Sequence, residues 1–137
     1  MTNVNSKKLS GAALDWAVRY ALVLNDVIGE RPDRRPLRAE HAKAKSFMEE
    51  ITVTPLDELS IYKLSTKHNY CTFEDNGKWF AVVEPCNWNR DQDGITTQMS
   101  VYEEDAVQGD NVLVAIQRCY VSHQLGFEVE VPDSLVS

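Results

Sequence analysis

The order of apolar and polar residues predicts a long helix near the start of the chain. Residues 11–28 are apolar on most sides of a helix, and the polar side chains keep to one stripe that includes Asp15 and Arg19, four residues apart. Ser10 precedes this segment and predicts its N-cap. A helix this apolar needs wide coverage by a sheet, a second helix or another subunit. The sequence therefore predicts a homo-dimer or a higher homo-oligomer.

A loop rich in proline and arginine follows the first helix. Two prolines and one glycine in residues 29–36 break the helical pattern. Three arginines lie in this loop and a fourth follows at once: Arg31, Arg34, Arg35 and Arg38. They form either a solvated basic loop or a phosphate clamp, because guanidinium groups match phosphate oxygens. Pro36 suits the first turn of a second helix over residues 37–50.

The middle of the chain has the pattern of strands and turns. Asn76-Gly77 favours positive φ at both central turn positions and predicts a hairpin of residues 70–73 and 78–83. Residues 59–64 fit either a helix or a strand. The remaining expectations are a strand at 51–53 ended by Pro55, a polar loop at 85–94 that contains Trp88, and a strand at 98–103.

The end of the chain predicts a nearly all-apolar helix over residues 111–125, a glycine stop at Gly126 and a short strand over 127–132. Arg118 is the only arginine or lysine in that helix. It either pairs with a buried acid or contacts a ligand phosphate. Residues 1–8 are polar and predict a flexible N-terminus. The length of 137 residues fits one domain.

Composition limits the classes of function. The net charge of −7 disfavours a nucleic-acid polymer as partner, but it allows one small anionic ligand held by a few local cations. No run of 18 apolar residues predicts a membrane span, and the first residues lack the apolar core of a signal peptide, so we expect a cytoplasmic protein without membrane partners. Cys71, Cys86 and Cys119 have no disulfide or zinc spacing, and we expect no metal and no cofactor.

The motifs of known catalytic sites are absent from the sequence, which predicts a protein that is not an enzyme. Cys119 lies on an apolar helix face and predicts a core thiol. Trp16 predicts either core packing or an aromatic wall for a base. Trp88 has polar neighbours and no evident core to enter, so it predicts stacking on a ligand base.

Two segments resemble one family of small bacteriophage proteins. Residues 8–18, Lys-Leu-Ser-Gly-Ala-Ala-Leu-Asp-Trp-Ala-Val, resemble the opening of NinX-type proteins. Residues 113–132, with Arg-Cys-Tyr-Val and Glu-Val-Glu-Val-Pro, are similar to their closing signature. The matches cover roughly a quarter of the chain in the same order. This pattern also looks like that of the Thoeris anti-defence proteins, which sequester a cyclic ADP-ribose isomer.

The resemblance implies an α+β fold, an antiparallel sheet with N-terminal and C-terminal helices packed on it, assembled as an oligomer. It implies binding of a cyclic nucleotide messenger in the host cytoplasm without degradation. The ligand contacts that it implies come from the first helix, an aromatic loop and the last helix, with the arginine loop as a further source. The expected ligand-binding residues are Trp16, Arg19, Arg31, Arg35, Trp88, Asn89, Arg90 and Arg118.

The chain also departs from the family. It has Pro85-Cys86-Asn87-Trp88 and only Gly94 where the family has a Pro-Ser loop followed by two glycines, and residues 25–54 match no family pattern. Two other functions remain open: a phage protein that inhibits a host defence protein directly, with Trp88 as an interface anchor, and an enzyme that degrades a nucleotide.

Overall fold

The protein has an α+β fold in a computed structural model that describes residues 1–83, 87–90, 96–100 and 106–136. The α-helices of these ranges are α1 (Gly11–Ile28), α2 (Arg38–Glu50), α3 (Glu58–Lys67) and α4 (Val112–Leu125). The strands are β1 (Thr2–Asn5), β2 (Tyr70–Asp75), β3 (Lys78–Val83), β4 (Asn87–Arg90), β5 (Thr96–Ser100), β6 (Val107–Gly109) and β7 (Glu128–Val131). Every strand pair is antiparallel, in the sheets β2–β3–β6, β1–β7 and β4–β5.

Helix α1 has the predicted bounds, and its apolar side chains are covered within one chain. It packs against α2, α4 and β7, and ten of its residues are buried. The apolar surface of α1 therefore finds its cover without a second copy. Ser10 occupies the N-cap position, but its side chain makes no capping hydrogen bond, contrary to the sequence prediction.

Helix α4 is the centre of the packing. It contacts all three strands of the β2–β3–β6 sheet as well as α1 and α3. Its side-chain cap is Asn111, whose Oδ1 accepts a hydrogen bond from Val114 N at 2.9 Å. Gly109, the last residue of β6, lies directly against this first turn. The approach is so close that a Cβ atom on Gly109 would lie 2.4 Å from Ala115 N.

The hairpin prediction is confirmed. Asn76 (φ 54°) and Gly77 (φ 80°) both adopt positive φ between β2 and β3, as a two-residue hairpin turn of this sequence requires. Phe73 lies opposite Phe80 in the register, and their rings stack at 5.2 Å. Strand β6 pairs with the other edge of β3.

Two segments in the middle of the chain differ from the predictions. Residues 51–53 form no strand, since their apolar side chains Ile51 and Val53 pack on the core without a partner for the backbone. The predicted loop at 85–94 contains β4, which pairs with β5. Residues 59–64 are helical in α3, because Asp57 Oδ1 accepts a hydrogen bond from Ser60 N at 2.7 Å and starts the helix. The predicted strand at 98–103 overlaps β5 at residues 98–100, and residues 101–103 lie outside the described ranges.

The start of the chain, expected to be flexible, forms a strand that pairs with the end of the chain. Strand β1 runs antiparallel to β7, with Val4 opposite Val129. Ser6 is fully buried and its Oγ shares a hydrogen bond of 2.8 Å with Ser122 Oγ on α4. Thr2 and Val4 pair with residues of β7, and Ser6 contacts α4. These partners are distant in the sequence, and the polar composition of the segment gives no local indication of them. No helix in the described part of the chain is long and apolar enough to cross a membrane.

Candidate functional site

Arg118 projects from α4 and is held by neutral carbonyl groups. Its Nε donates to the Leu9 carbonyl at 2.7 Å and its Nη1 donates to the Gln108 carbonyl at 2.9 Å. No described carboxylate lies within ion-pair distance of it. Carbonyl partners fix the orientation of the guanidinium but leave its charge uncompensated. The structure thus gives Arg118 an internal partner of a kind that the sequence did not predict, and Arg118 is still able to attract an anion.

Arg118 borders a groove of about 510 Å³ that we call the Arg118 groove. Its described lining residues are Lys7, Lys8, Phe80, Ala106, Gln108 and Arg118. Lys7 and Lys8 come from the 3₁₀ turn Ser6–Lys8 that connects β1 to α1, and Phe80 comes from β3. The described lining contains three cations and no carboxylate, although the protein carries a net charge of −7. Such a local concentration of positive charge attracts anions into the groove.

Two members of this groove are held in place by further contacts. The Lys7 ammonium lies 5.0 Å from the centre of the Phe127 ring, and Lys7 N donates to Asn5 Oδ1 at 2.9 Å. Phe80 stacks on Phe73. Lys8 is exposed. The groove therefore combines an oriented guanidinium, two ammonium groups and an aromatic ring, which are the groups that bind phosphates and stack on bases.

The arginines of the loop at residues 29–36 make hydrogen bonds within the loop and to its flanking helices. Arg31 donates to both carboxylate oxygens of Glu40, at 3.0 and 2.8 Å, and to the carbonyls of Asp33 and Arg35. The hydrogen bonds from Arg31 and from Leu37 N hold the pKa of Glu40 below its usual range. Arg35 is exposed, and its backbone N–H donates to Asp33 Oδ1. The structure brings neither Arg31 nor Arg35 to the Arg118 groove.

The other predicted ligand residues are dispersed. Trp16 is buried, with 6% of its surface exposed, and its ring stacks on Tyr20 at 5.1 Å. Arg19 lies half-buried on α1 and lines none of the cavities described in this section. Trp88, Asn89 and Arg90 belong to β4, and their side chains lie outside the described part of the structure.

A second cavity, also about 510 Å³, lies between α2 and β7, and we call it the α2–β7 cavity. One wall is a stripe of α2 residues spaced three and four apart: Arg38, His41 and Lys45. The facing wall is Glu128 and Glu130 on β7, and the apolar lining is Tyr20, Leu125 and Val129. Lys45 Nζ contacts Glu130 Oε2 at 3.3 Å and so connects the two walls.

His41 has a fixed orientation in this cavity. The Tyr20 hydroxyl and His41 Nδ1 share a hydrogen bond of 2.6 Å, and the two rings stack at 6.1 Å. Burial, with the Glu130 charge second, raises the pKa of Tyr20 to about 12. Burial, followed by the Lys45 charge, lowers the pKa of His41. Both groups are therefore neutral near pH 7. Because the Tyr20 hydroxyl has no other hydrogen-bond partner among the described residues, donation to Nδ1 satisfies its proton, and His41 then carries its own proton on Nε2.

A third cavity of about 590 Å³, the histidine cavity, lies where the C-terminal ends of α1, α3 and α4 meet. His68 and His123 line it, with ring centres 5.9 Å apart. Arg34 donates to the Gly29 carbonyl and to Asn25 Oδ1, and Lys67 is on the same lining. Cations at helix C-termini complement the helix dipole, so these side chains have a structural role.

The His68 ring also packs in an aromatic cluster next to this cavity. It stacks on Tyr70 at 5.8 Å and lies 5.4 Å from the Tyr120 ring. Tyr120 accepts a hydrogen bond of 2.9 Å from Asn25 Nδ2 at its hydroxyl. Burial lowers the pKa of both His68 and His123, and for His68 the neighbouring His123 adds to the effect. Both imidazoles are therefore neutral near pH 7.

Cys119 has the environment of a core thiol. Cys119 is 2% exposed, which confirms the predicted core position, and burial raises the pKa of its thiol to about 12. Cys71 is half-buried, and Cys86 lies outside the described ranges. Among the described residues, no group of three or more histidine, cysteine, aspartate or glutamate side chains could hold a metal ion.

Arg118 could be identified from the sequence, but the lysines and the ring beside it could not. Lys7 and Lys8 lie in a segment that was expected to be flexible, and Phe80 was assigned only to a hairpin strand. Nothing local in the sequence brings them to Arg118, because the groove depends on the pairing of β1 with β7. The α2 stripe is easier to predict from the sequence, because a spacing of three and four residues on a predicted helix already puts Arg38, His41 and Lys45 on one face.

Comparison with models of known protein families, with curated proteins and with solved structures finds no match for this chain.

Proposed function

We propose that this protein binds and sequesters a cyclic nucleotide immune messenger, a cyclic ADP-ribose isomer, without degrading it, as a phage counter-defence protein in the host cytoplasm. The observation that carries the proposal is the Arg118 groove. Lys7, Lys8 and Arg118 concentrate positive charge beside Phe80, with no carboxylate among the described lining residues. The resemblance of residues 8–18 and 113–132 to the phage family supports the same class of ligand.

The groove offers different groups to the two parts of such a ligand. A pyrophosphate carries acceptor oxygens that suit the Arg118 fork and the Lys7 and Lys8 ammonium groups. Phe80 offers an aromatic face to a base, and base–aromatic stacking contributes about 1–3 kcal/mol. A nanomolar complex requires about −12 kcal/mol in total. Preorganisation by the two carbonyl contacts of Arg118 lowers the cost of ordering that side chain on binding.

Sequestration without chemistry is supported by the state of the thiol that was singled out from the sequence. The pKa of Cys119 is raised to about 12 by burial, so at neutral pH this group is a protonated core thiol and not a nucleophile. A protein that sequesters a ligand has only to bind it, and it needs no activated nucleophile or general base.

Calorimetric titration with cyclic ADP-ribose isomers, followed by mass spectrometry of the ligand released on heating, tests the proposal. We expect tight binding of one isomer and recovery of the ligand intact. Recovery of a cleaved product would instead indicate a degrading enzyme. The absence of heat with every isomer would contradict the proposal and leave direct inhibition of a host protein as the alternative, to be sought by affinity capture from infected cells.

Lys8→Ala locates the ligand without disturbing the fold, because Lys8 is exposed. We expect about tenfold weaker binding, which corresponds to about 1.4 kcal/mol for one lost charge-assisted hydrogen bond. Lys63→Ala is the matched control, since Lys63 is an exposed lysine on α3 that does not line the groove. Equal affinities of the two variants would exclude the Arg118 groove as the binding site.

A further inference from the structure

The α2–β7 cavity has charges of opposite sign on its two walls. Arg38 and Lys45 lie on the α2 wall, and Glu128 and Glu130 lie on the β7 wall, where they point to the same side because alternate strand residues share a face. The space between the walls is lined by Tyr20, Leu125 and Val129, which provide an apolar surface. This distribution differs from that of the Arg118 groove, whose described charges are all positive.

The position of Arg38 on the α2 wall is not explained by the stability of the helix. Arg38 is the first residue of α2, where the helix dipole disfavours a cation. The acid that suits this end is Glu40, which accepts a hydrogen bond from Leu37 N at 2.8 Å. Arg38 makes no hydrogen bond or ion pair with any described residue, and it is exposed at the cavity. An anion bound there would gain both the guanidinium and the positive end of the helix dipole.

His41 adds a directed donor to this wall. Tyr20 is 4% exposed and its hydroxyl has no other hydrogen-bond partner among the described residues, so donation to Nδ1 avoids an unsatisfied buried O–H and puts the N–H of His41 on Nε2. Nε2 has no hydrogen-bond partner among the described residues, and it is not a buried unsatisfied atom, so it is open to solvent at the cavity. Stacking of Tyr20 between Trp16 and His41 keeps this arrangement rigid. The donor is therefore preorganised for an acceptor oxygen.

We propose that the α2–β7 cavity binds a small zwitterion of the amino-acid class. Its carboxylate contacts Arg38 and the Nε2–H group of His41, its ammonium group contacts Glu128 and Glu130, and its apolar body covers Leu125. Lys45 and Glu130 already pair with each other across the cavity at 3.3 Å, so a ligand with only one of these charges leaves either Arg38 or Glu128 without a counter-charge. The cavity volume of about 510 Å³ is sufficient for a ligand of this size. The site is separate from the Arg118 groove and does not depend on the function proposed for it.

Three related compounds separate the contributions of the two walls. Free phenylalanine carries both charges, 3-phenylpropionate carries only the carboxylate, and phenethylamine carries only the ammonium group. We expect phenylalanine to shift the His41 Nε2 resonance in long-range ¹H–¹⁵N spectra at near-neutral pH and to bind at least about tenfold more tightly than the other two. Equal binding of phenylpropionate would overturn the zwitterion assignment, and so would the absence of any shift with phenylalanine at millimolar concentration.

Variants of the two walls test the same assignment. Arg38→Ala and Glu128→Gln should each weaken phenylalanine binding about tenfold. Lys43→Ala removes one positive charge from an exposed position of α2 that does not line the cavity, and it should leave the affinity unchanged. Tyr20→Phe keeps the stacked ring but removes the hydroxyl that fixes the His41 tautomer, and a several-fold weaker affinity is expected. If Lys43→Ala weakens binding as much as Arg38→Ala, the effect is one of overall charge and the proposed site is wrong.

Discussion

At the scale of single residues, Arg118 combines a structural contact with a charge that no carboxylate in the described part of the chain pairs. Its two hydrogen bonds join α4 to the carbonyl of Leu9 and to the carbonyl of Gln108 on β6. A charged donor on a carbonyl contributes about 1.5–3 kcal/mol. The residue is therefore needed for stability even if no ligand binds, and loss of ligand binding in a simple alanine variant would have two explanations.

Arg118→Ala and Arg118→Lys separate these two roles. Both variants lose the planar fork, so we expect urea denaturation to show a loss of about 2 kcal/mol for each. Arg118→Lys keeps the positive charge, and its ligand affinity should lie between those of the wild-type protein and Arg118→Ala. Arg35→Ala is the control, because Arg35 is exposed and its stability should change by less than about 0.5 kcal/mol. Equal stability of Arg118→Ala and Arg35→Ala would show that the carbonyl contacts contribute nothing.

Residue chemistry could be predicted from the sequence, but the partners of each side chain could not. The arginine loop contains the groups of a phosphate clamp, yet Glu40 lies nine residues from Arg31 on the next helix and accepts hydrogen bonds from its Nη1 and Nη2. Trp16 has the composition of a stacking platform, but Tyr20 covers it one helical turn away. In both cases a nearby side chain satisfies the group, and sequence spacing alone does not decide between that contact and a ligand.

At the scale of elements, the helix caps differ in a way that is directly testable. Asn111 and Asp57 accept hydrogen bonds from the first turns of α4 and α3, whereas Ser10 occupies the cap position of α1 without such a bond. We expect Asn111→Ala and Asp57→Ala to lower the free energy of unfolding by about 1 kcal/mol each. Ser10→Ala should change it by much less. Thermal or urea unfolding of the three variants checks this order, and a Ser10→Ala effect as large as the other two would contradict it.

The close packing of β6 against α4 depends on Gly109, which has no side chain. Its position requires no unusual φ, but a Cβ atom there would lie 2.4 Å from Ala115 N and 2.9 Å from Ala115 Cα. These neighbours are backbone atoms and cannot rotate away, so Gly109→Ala should lower stability by about 3 kcal/mol. Gly77→Ala is a useful comparison, because it introduces strain at positive φ without any steric neighbour. If urea unfolding shows that Gly109→Ala lowers stability less than Gly77→Ala does, the contact between β6 and α4 is too loose for a Cβ atom at residue 109 to clash.

The elements with local signals were predicted well, and those that depend on distant pairing were not. Helix α1 has the predicted bounds, and the Asn76-Gly77 turn has the expected backbone. Strand β1 was missed because its partner β7 lies at the other end of the chain. Residues 51–53 have β-branched side chains but no partner strand, so their local preference for extended structure does not become a strand.

At the scale of the whole molecule, positive charge is concentrated at cavities while the protein as a whole is acidic. Seven of the 14 lysines and arginines line the three cavities: Lys7, Lys8, Arg34, Arg38, Lys45, Lys67 and Arg118. The net charge of −7 repels anions at long range, but within about 10 Å at ordinary salt the local cations dominate. Anionic ligands should therefore be selected at the Arg118 groove, whose described charges are all positive, and not over the general surface.

The three histidines, His41, His68 and His123, give the whole molecule a predictable response to acid. Burial lowers the pKa of each one below the ordinary value of 6.5. The folded state therefore binds fewer protons than the unfolded state when the pH falls through this range. Stability contributed by neutral histidines is fully present above about pH 6.5 and is lost progressively below it. The pKa values of Asp57 and Glu40 are also lowered in the folded state, so protonation of these carboxylates likewise reduces stability, but only near and below about pH 4.5.

We expect the urea midpoint to be level in neutral buffer and to fall as the pH drops below about 6.5, before the carboxylates titrate. His68→Asn should reduce this slope most, because His68 packs against Tyr70, Tyr120 and His123 and its protonation is opposed by the neighbouring imidazole as well as by burial. The variant loses stacking and so starts from a lower midpoint at neutral pH, but the slope and not the starting value reports the proton linkage. A steeper decline in His68→Asn than in the wild-type protein, or a wild-type midpoint that rises on acidification, would contradict a neutral, half-buried His68 imidazole at the junction of α3 and α4.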